Sequence, residues 1–309
     1  MITLDHVTRR YAGFLALDDV TLTVADGEIL VLIGASGSGK STLLQLINRL
    51  QDPTSGTVRV DGEDIANVAP EQLRRRMGYV IQGGGLFPHW TVARNIATVP
   101  RLLGWDRARI AARVEELLDL LRLDGARLRD AYPHMLSGGQ QQRVGVARAL
   151  AANPSILLMD EPFGALDPVT RAELQGEIRR IHVETGCTIV FVTHDMDEAL
   201  GLATRIAVID RGRLVQLGTP LDLLTRPATE QVAQFIGTTN RGLKLLGVQR
   251  VADRVHPDET VPGEPIGSDL PLSSALSTMV IRGQDRLSVR DPAGLPLGAI
   301  HLSDLVRPL

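Results

Sequence analysis

At 309 residues, with 44% apolar and 22% charged side chains, the chain has an ordinary folded composition and room for one substantial domain plus a smaller one. Its formal net charge of −3 excludes a strongly basic molecule, so no nucleic-acid partner is expected. One cysteine, Cys187, and no Cys-x-x-Cys pair exclude an internal disulfide and point to a reducing cytoplasm without a structural zinc.

The first residues carry no basic region followed by an apolar run, so no export signal is expected. No stretch approaches the roughly 18 apolar residues of a membrane-spanning helix. Work at a membrane would require docking onto another chain. Over the first 40 residues, short alternating strands lead to a turn at Asp26-Gly27, and residues 28–33, with the apolar run 29–33, read as a buried strand. That strand runs into Gly34-Ala35-Ser36-Gly37-Ser38-Gly39-Lys40-Ser41-Thr42, and a helix is predicted over residues 41–50, stopped by Asp52-Pro53.

The spacing from Gly34 to Gly39-Lys40-Ser41, after a strand and before a helix, is that of a phosphate-binding loop. Its glycines let backbone N–H groups turn toward phosphate oxygens, and the helix adds its positive end. Lys40 can reach the β- and γ-phosphates of a nucleotide, and the Ser41 hydroxyl can take one place on Mg²⁺.

From Trp90 to about Leu150 the pattern turns helical, with Ile110, Val114, Leu117, Leu118 and Leu121 at a spacing close to 3.6. Leu136-Ser137-Gly138-Gly139-Gln140 precedes a helical run over residues 141–152, and Ser137 with Gln140 has capping-box spacing. Two glycines after the cap leave N–H groups bare, which makes an anion site. Glycine costs up to about 1 kcal/mol in a helix, a cost that makes sense if something must approach closely.

A strand over residues 155–159 ends at Asp160-Glu161. Its tip sets Asp160 beside the phosphate loop to hold Mg²⁺, and side-chain alternation gives Glu161 a different task, polarising the attacking water as general base. A helix over about 169–184 and a buried strand over 188–193 follow. Strands alternating with helices predict an α/β fold with a mostly parallel sheet, whose ligands bind at the carboxyl ends of the strands. Gly, Pro and mixed charges predict a linker over residues 238–270, and a short α/β unit over 271–309 closes the chain.

The run Leu136-Ser137-Gly138-Gly139-Gln140, with the phosphate loop before it and Asp160-Glu161 after it, resembles the ATPases of the ABC transporter family over about residues 1–237. The resemblance implies a P-loop NTPase (RecA-like) core with an antiparallel β subdomain and an inserted α-helical subdomain at about residues 88–150. It implies ATP and Mg²⁺ as cofactors, and ATP hydrolysis coupled to transmembrane transport. Two copies would pair head to tail, each ATP lying between the phosphate loop of one and Ser137, Gly138, Gly139 and Gln140 of the other.

Further positions match the family in order. Tyr11 stands where an aromatic stacks on adenine, and Gln82 where a glutamine senses Mg²⁺ and links to the membrane subunit. Asp167, in Ala165-Leu166-Asp167, matches the dimer-contacting loop, and His194 the histidine at the γ-phosphate. Catalysis is thus expected from Glu161, His194 and Lys40, and metal binding from Ser41, Gln82 and Asp160. Met135 replaces the usual Glu or Gln before the signature, and a packing change is expected there.

Within the family, Gln82-Gly83-Gly84-Gly85-Leu86-Phe87-Pro88-His89-Trp90-Thr91-Val92, Tyr132-Pro133-His134 and residues 95–100 resemble ATPases of osmoprotectant importers, which take up glycine betaine, choline or carnitine. Gly83, Gly84 and Gly85 depart from the common pattern and are expected to loosen this loop. Residues 272–305 look like one cystathionine-β-synthase-type (CBS) motif, of which two normally build a ligand site. His301 replaces the expected Thr or Ser before Asp304, so dimer contact or structural padding is expected there instead of adenosine binding. Residues 241–309 carry 8 basic and 8 acidic side chains, too balanced for a charged ionic-strength sensor.

The implied partners are a second ATPase subunit, integral membrane permease subunits and, indirectly, a substrate-binding protein, with the chain peripheral on the cytoplasmic face of the inner membrane. An importer of amino acids or another small solute is the nearest alternative. A soluble ABC ATPase of DNA repair or translation is disfavoured by the single compact cassette without coiled-coil or zinc insertions.

Overall fold

The computed structural model describes residues 1–164, 166–237, 240–257 and 259–306. The chain divides into two units, Met1–Asp195 with Leu202–Leu217, and Met196–Gly201 with Gly218–Leu309.

In the first unit, β1 (Ile2–Tyr11) and β2 (Phe14–Val24) form an antiparallel hairpin that buries one face through Ile2, Leu4, Val7, Val20 and Leu22. β3 (Ile29–Ile33) is buried at every residue, as a strand flanked on both faces must be. It leads into α1 (Lys40–Ile47). That helix stops before the expected residue 50, because Arg49 turns left-handed (φ 48°) and the Leu50 N–H folds back onto the Gln45 carbonyl. β4 (Ser55–Val60) and β5 (Glu63–Asp64) complete an antiparallel sheet in the order β2-β1-β4-β5.

After α2 (Pro70–Arg76) and β6 (Met77–Val80) comes the helical insertion: α3 (Val92–Ile96), α4 (Thr98–Leu102), α5 (Arg107–Leu120), α6 (Gly125–Leu128) and α7 (Gly138–Leu150). α5 buries Ile110, Val114, Leu117 and Leu118, the stripe its periodicity predicts. Then follow β7 (Ile156–Asp160), α8 (Pro168–Thr185) and β8 (Thr188–Val192), next in the chain α9 (Met196–Leu202), which belongs almost wholly to the second unit, and then β9 (Arg205–Asp210) and β10 (Arg213–Gly218) of the first.

The second sheet has the order β10-β9-β3-β8-β7-β6, and its strands from β9 to β6 run parallel. This is the expected α/β architecture: a parallel core, an antiparallel sheet and inserted helices. Leu43, Leu44, Leu46 and Ile47 of α1 are fully buried in one core with Leu30, Leu32, Leu158 and Val190 of the sheet. Each such side chain stabilises the fold by roughly 1.5–3 kcal/mol, so the loop between β3 and α1 is anchored at both ends.

The second unit contains α10 (Pro220–Thr225), α11 (Glu230–Ile236), α12 (Arg241–Val248), β11 (Ile266–Gly267), α13 (Leu272–Arg282), β12 (Arg286–Arg290), β13 (Pro296–His301) and α14 (Leu302–Leu305). β11 pairs parallel with β12, and β12 antiparallel with β13. The expected linker is corrected here. Outside residues 238, 239 and 258, which are not among those described, it holds α12, a 3₁₀ turn at Val251–Arg254, and β11. Leu246, Val251 and Ile266 share one core with Leu272, Met279, Leu287 and Ile300. Elements this short show little periodicity, and burial in that common core orders them.

Candidate functional site

The loop from β3 to α1 works only with glycine at its tightest points. A Cβ on Gly34 (φ 154°) would stand 2.0 Å from the Ile209 carbonyl oxygen, and one on Gly39 (φ 109°) 2.5 Å from that of Ala16. Gly39 also occupies the N-cap of α1, where no side chain accepts from the helix, so the first-turn amides are left for an anion. Lys40 is buried, and its Nζ donates to the carbonyls of Gly34 and Ala35 at 2.8 Å each. Burial lowers its pKa, while Glu161 and Asp160 oppose that shift. Ser38 is 4% exposed and its Oγ is buried without a hydrogen-bond partner. An orphaned, buried hydroxyl in such a loop fits a phosphate oxygen.

Two carboxylates meet this loop from the end of β7. Asp160 is buried, and Ser41 Oγ donates to its Oδ1 at 3.0 Å. Burial raises the Asp160 pKa, with Ser41 and Lys40 pulling it back and Glu161 adding to the rise. Burial, together with the Asp160 charge, pushes the Tyr79 phenol up to about 12. Ser41 and Asp160 thus offer paired hard oxygens, the donor set Mg²⁺ prefers.

Glu161 is not separated from Asp160 by strand alternation, as the sequence suggested. The strand ends at Asp160, and Glu161 turns left-handed at φ 46°, its N–H held by the Val192 carbonyl at 3.1 Å. For a side chain with a Cβ that conformation costs about 1–2 kcal/mol, a strain that surrounding contacts must hold in place. Gln82 Nε2 donates to Glu161 Oε2 at 2.8 Å, and His194 Nδ1 lies 3.4 Å from Glu161 Oε1. The chain therefore brings together two sets: Ser41 with Asp160, and Glu161 with Gln82 and His194. Gln82, expected at the metal, is bonded here to Glu161.

Ser137, Gly139 and Gln140 of the signature line a cleft of about 260 Å³, together with Arg122, Asp124, Arg127, Arg143 and Thr170. The capping box is present: the Gln140 N–H donates to Ser137 Oγ at 3.3 Å, and Gln140 Oε1 accepts from the Ser137 N–H at 2.9 Å. α7 starts at Gly138 and not at residue 141, because the cap sets both glycines inside the first turn. The two glycines differ. A Cβ on Gly139 would meet Thr170 Cγ2 at 2.8 Å, whereas one on Gly138 would meet nothing within 4 Å. Packing within the chain explains Gly139 alone.

Tyr11 ends β1, with the Arg9 guanidinium 4.5 Å above its ring. Asp167 caps α8, accepting from the Val169 and Thr170 N–H groups at 3.1 Å each, and its bonds to Thr170 hold its carboxyl below the ordinary range. Ala165 lies outside the described residues.

Sequence reasoning missed what fixes the segment after Gln82. Gly83, Gly84 and Gly85 all have positive φ (73°, 79° and 50°), and two of their carbonyls are tied to a neighbouring helix. Arg148 of α7 donates to the carbonyls of Gly85 at 2.7 Å and Gly84 at 3.0 Å. Asn95, fully buried, accepts from the Phe87 N–H at 2.8 Å and donates to the carbonyls of Phe87, Trp90 and Thr91. Arg148, one of two arginines buried on α7, was the available signal. The packing change expected at Met135 is also absent, since that side chain is 64% exposed.

Residues 17–164 match the family model described as ABC transporter. Over 306 residues the chain is 54% identical to the glycine betaine uptake system ATP-binding protein YehX of Escherichia coli (strain K12), with 99% of each covered. It is 46% identical to the glycine betaine/carnitine/choline transport ATP-binding protein OpuCA of Bacillus subtilis (strain 168), over 98% of this chain and 78% of that one. A solved dimeric, post-hydrolysis ATP-binding cassette, MJ0796 bound to ADP and Pi, is similar at TM-score 0.66 and 34% identity, over 71% of this chain and 99% of that one.

Proposed function

The chain belongs to the ABC transporter family of ATP-binding subunits, and on that premise we propose that it hydrolyses ATP to energise uptake of glycine betaine, choline or carnitine through a separate permease. One observation carries the chemistry: Gln82 and His194 converge on Glu161 beside the buried Ser41–Asp160 pair.

On this reading Lys40 leaves the Gly34 and Ala35 carbonyls for β- and γ-phosphate oxygens, which the loop amides and Ser38 also receive. Ser41, Asp160 and Gln82 would hold Mg²⁺, which when bound offsets charge on those oxygens. Glu161 takes the proton of the attacking water. Gln82 and His194 fix its carboxylate, and His194 would contact the γ-phosphate. Tyr11 supplies the adenine contact. The open face of Gly138 and the arginine-lined cleft beside Ser137 and Gln140 support closure over the ATP of a second copy, with Asp167 at the contact.

The cassette on this reading is residues 1–237, with its helical subdomain at about 88–150, and residues 271–309 form a single CBS-like tail. Among the described residues no helix is long and apolar enough to cross a membrane. A permease would therefore be met at the surface, on the cytoplasmic face, and Ile81, Phe87, Tyr132 and Met135 are exposed apolar side chains that could meet it. The solute reading rests on likeness that extends through the tail to both osmoprotectant relatives. Copurification from membranes tests the transporter assignment: an integral membrane partner is expected, and recovery without one overturns it.

A further inference from the structure

We propose that His256, His301 and Asp304, all in the second unit, form a binding site for a divalent transition-metal ion of the zinc class. One possible ligand atom from each lies within 4.8 Å of the other two. His256 Nε2 is 3.0 Å from Asp304 Oδ2, and the two imidazole centroids are 4.7 Å apart. A tetrahedral centre with bonds of about 2.0–2.1 Å sets its ligands roughly 3.3 Å apart, so binding an ion would draw the three atoms closer together than they stand here.

The backbone holds these side chains in position before any ion arrives. His256 and Ala299 exchange both N–H···O=C bonds, at 2.7 and 3.0 Å, and a Cβ on Gly298 would stand 2.0 Å from the His256 carbonyl oxygen. Asp304 is only 3% exposed and accepts from the His301 N–H at 3.0 Å. Beyond this set, His301 Nε2 is bonded to Glu259, whose other oxygen accepts from Arg286 at 2.9 Å. A carboxylate behind a histidine is the arrangement that fixes the tautomer and orientation of a metal ligand. Two imidazoles and one carboxylate select zinc-class ions over Mg²⁺ or Ca²⁺, which prefer all-oxygen sets. The lack of cysteine pairs hid this site in the sequence, because its donors are nitrogen and oxygen.

The test uses the untagged full chain, stripped of metal and equilibrated with Zn²⁺. We expect bound zinc that the His256→Asn, His301→Gln double variant loses, together with a zinc-dependent rise in Tm seen only in the native chain. X-ray absorption of the zinc-loaded native protein should show two imidazoles in the first shell. Glu259→Gln should weaken zinc binding about 10–100-fold while leaving the three ligands in place. Equal zinc in the double variant, or no imidazole in the absorption shell, overturns the proposal and leaves a hydrogen-bonded His–Asp cluster.

Discussion

At Glu161 the backbone accepts a left-handed turn that aims one carboxylate at Gln82 and His194 while Asp160 faces Ser41. If Glu161 is the general base, Glu161→Gln keeps nucleotide binding but lowers turnover by about 10²–10⁴-fold and accumulates the ATP-bound dimer. Phosphate release and size-exclusion chromatography with ATP read this out, and near-normal hydrolysis removes Glu161 from the role. Asp160 makes a separate prediction through pH. Its raised pKa means that the folded chain holds the proton more tightly than the unfolded one. That contribution is complete below the ordinary value of 3.8 and is lost as pH rises through the folded value. The charged form therefore costs stability near neutrality. Asp160→Asn, which keeps an acceptor for Ser41, should melt higher than the native chain at neutral pH, with the gap narrowing in acid; equal Tm values at neutrality contradict this. Lys40, Ser41 and Asp160 were legible in the sequence because a phosphate loop and a strand tip are local patterns. The turn at Glu161 was not, because it is fixed by the Val192 carbonyl of a neighbouring strand.

α7 begins with the signature and carries Arg148 near its end, so one helix bears the cap, the open glycine and the clamp on the glycine loop. As a cap alone, Ser137 is worth about 1 kcal/mol, and Ser137→Ala would leave turnover per folded molecule unchanged. The proposed contact with a second copy's ATP requires turnover to fall well beyond that stability loss. Paired denaturation and ATPase measurements separate the two outcomes. Arg148→Ala strips charged donors from two carbonyls and should destabilise the chain by about 2–4 kcal/mol in urea. A loss under about 0.5 kcal/mol would show that the glycine loop holds without it. The capping box was legible because its spacing is local. The clamp joins residues 63 and 64 positions apart, and three adjacent glycines read locally as freedom.

On the scale of the whole molecule, strand–helix alternation made the parallel core legible, while the second unit was only half read. α12 and β11 are too short to announce themselves and exist because Leu246, Val251 and Ile266 find a shared core. A truncation ending near residue 270 should therefore expose Leu246 and Val251 and bind a hydrophobic dye; a well-behaved, dye-silent product would restore the linker reading. The central claim is that this ATPase drives osmoprotectant uptake, and its most direct measurement is uptake of labelled glycine betaine, choline and carnitine by cells lacking the chain. Restoring the native chain should recover uptake of at least one of these solutes, and Glu161→Gln should not. Uptake that is equal with and without the chain for all three would contradict the account.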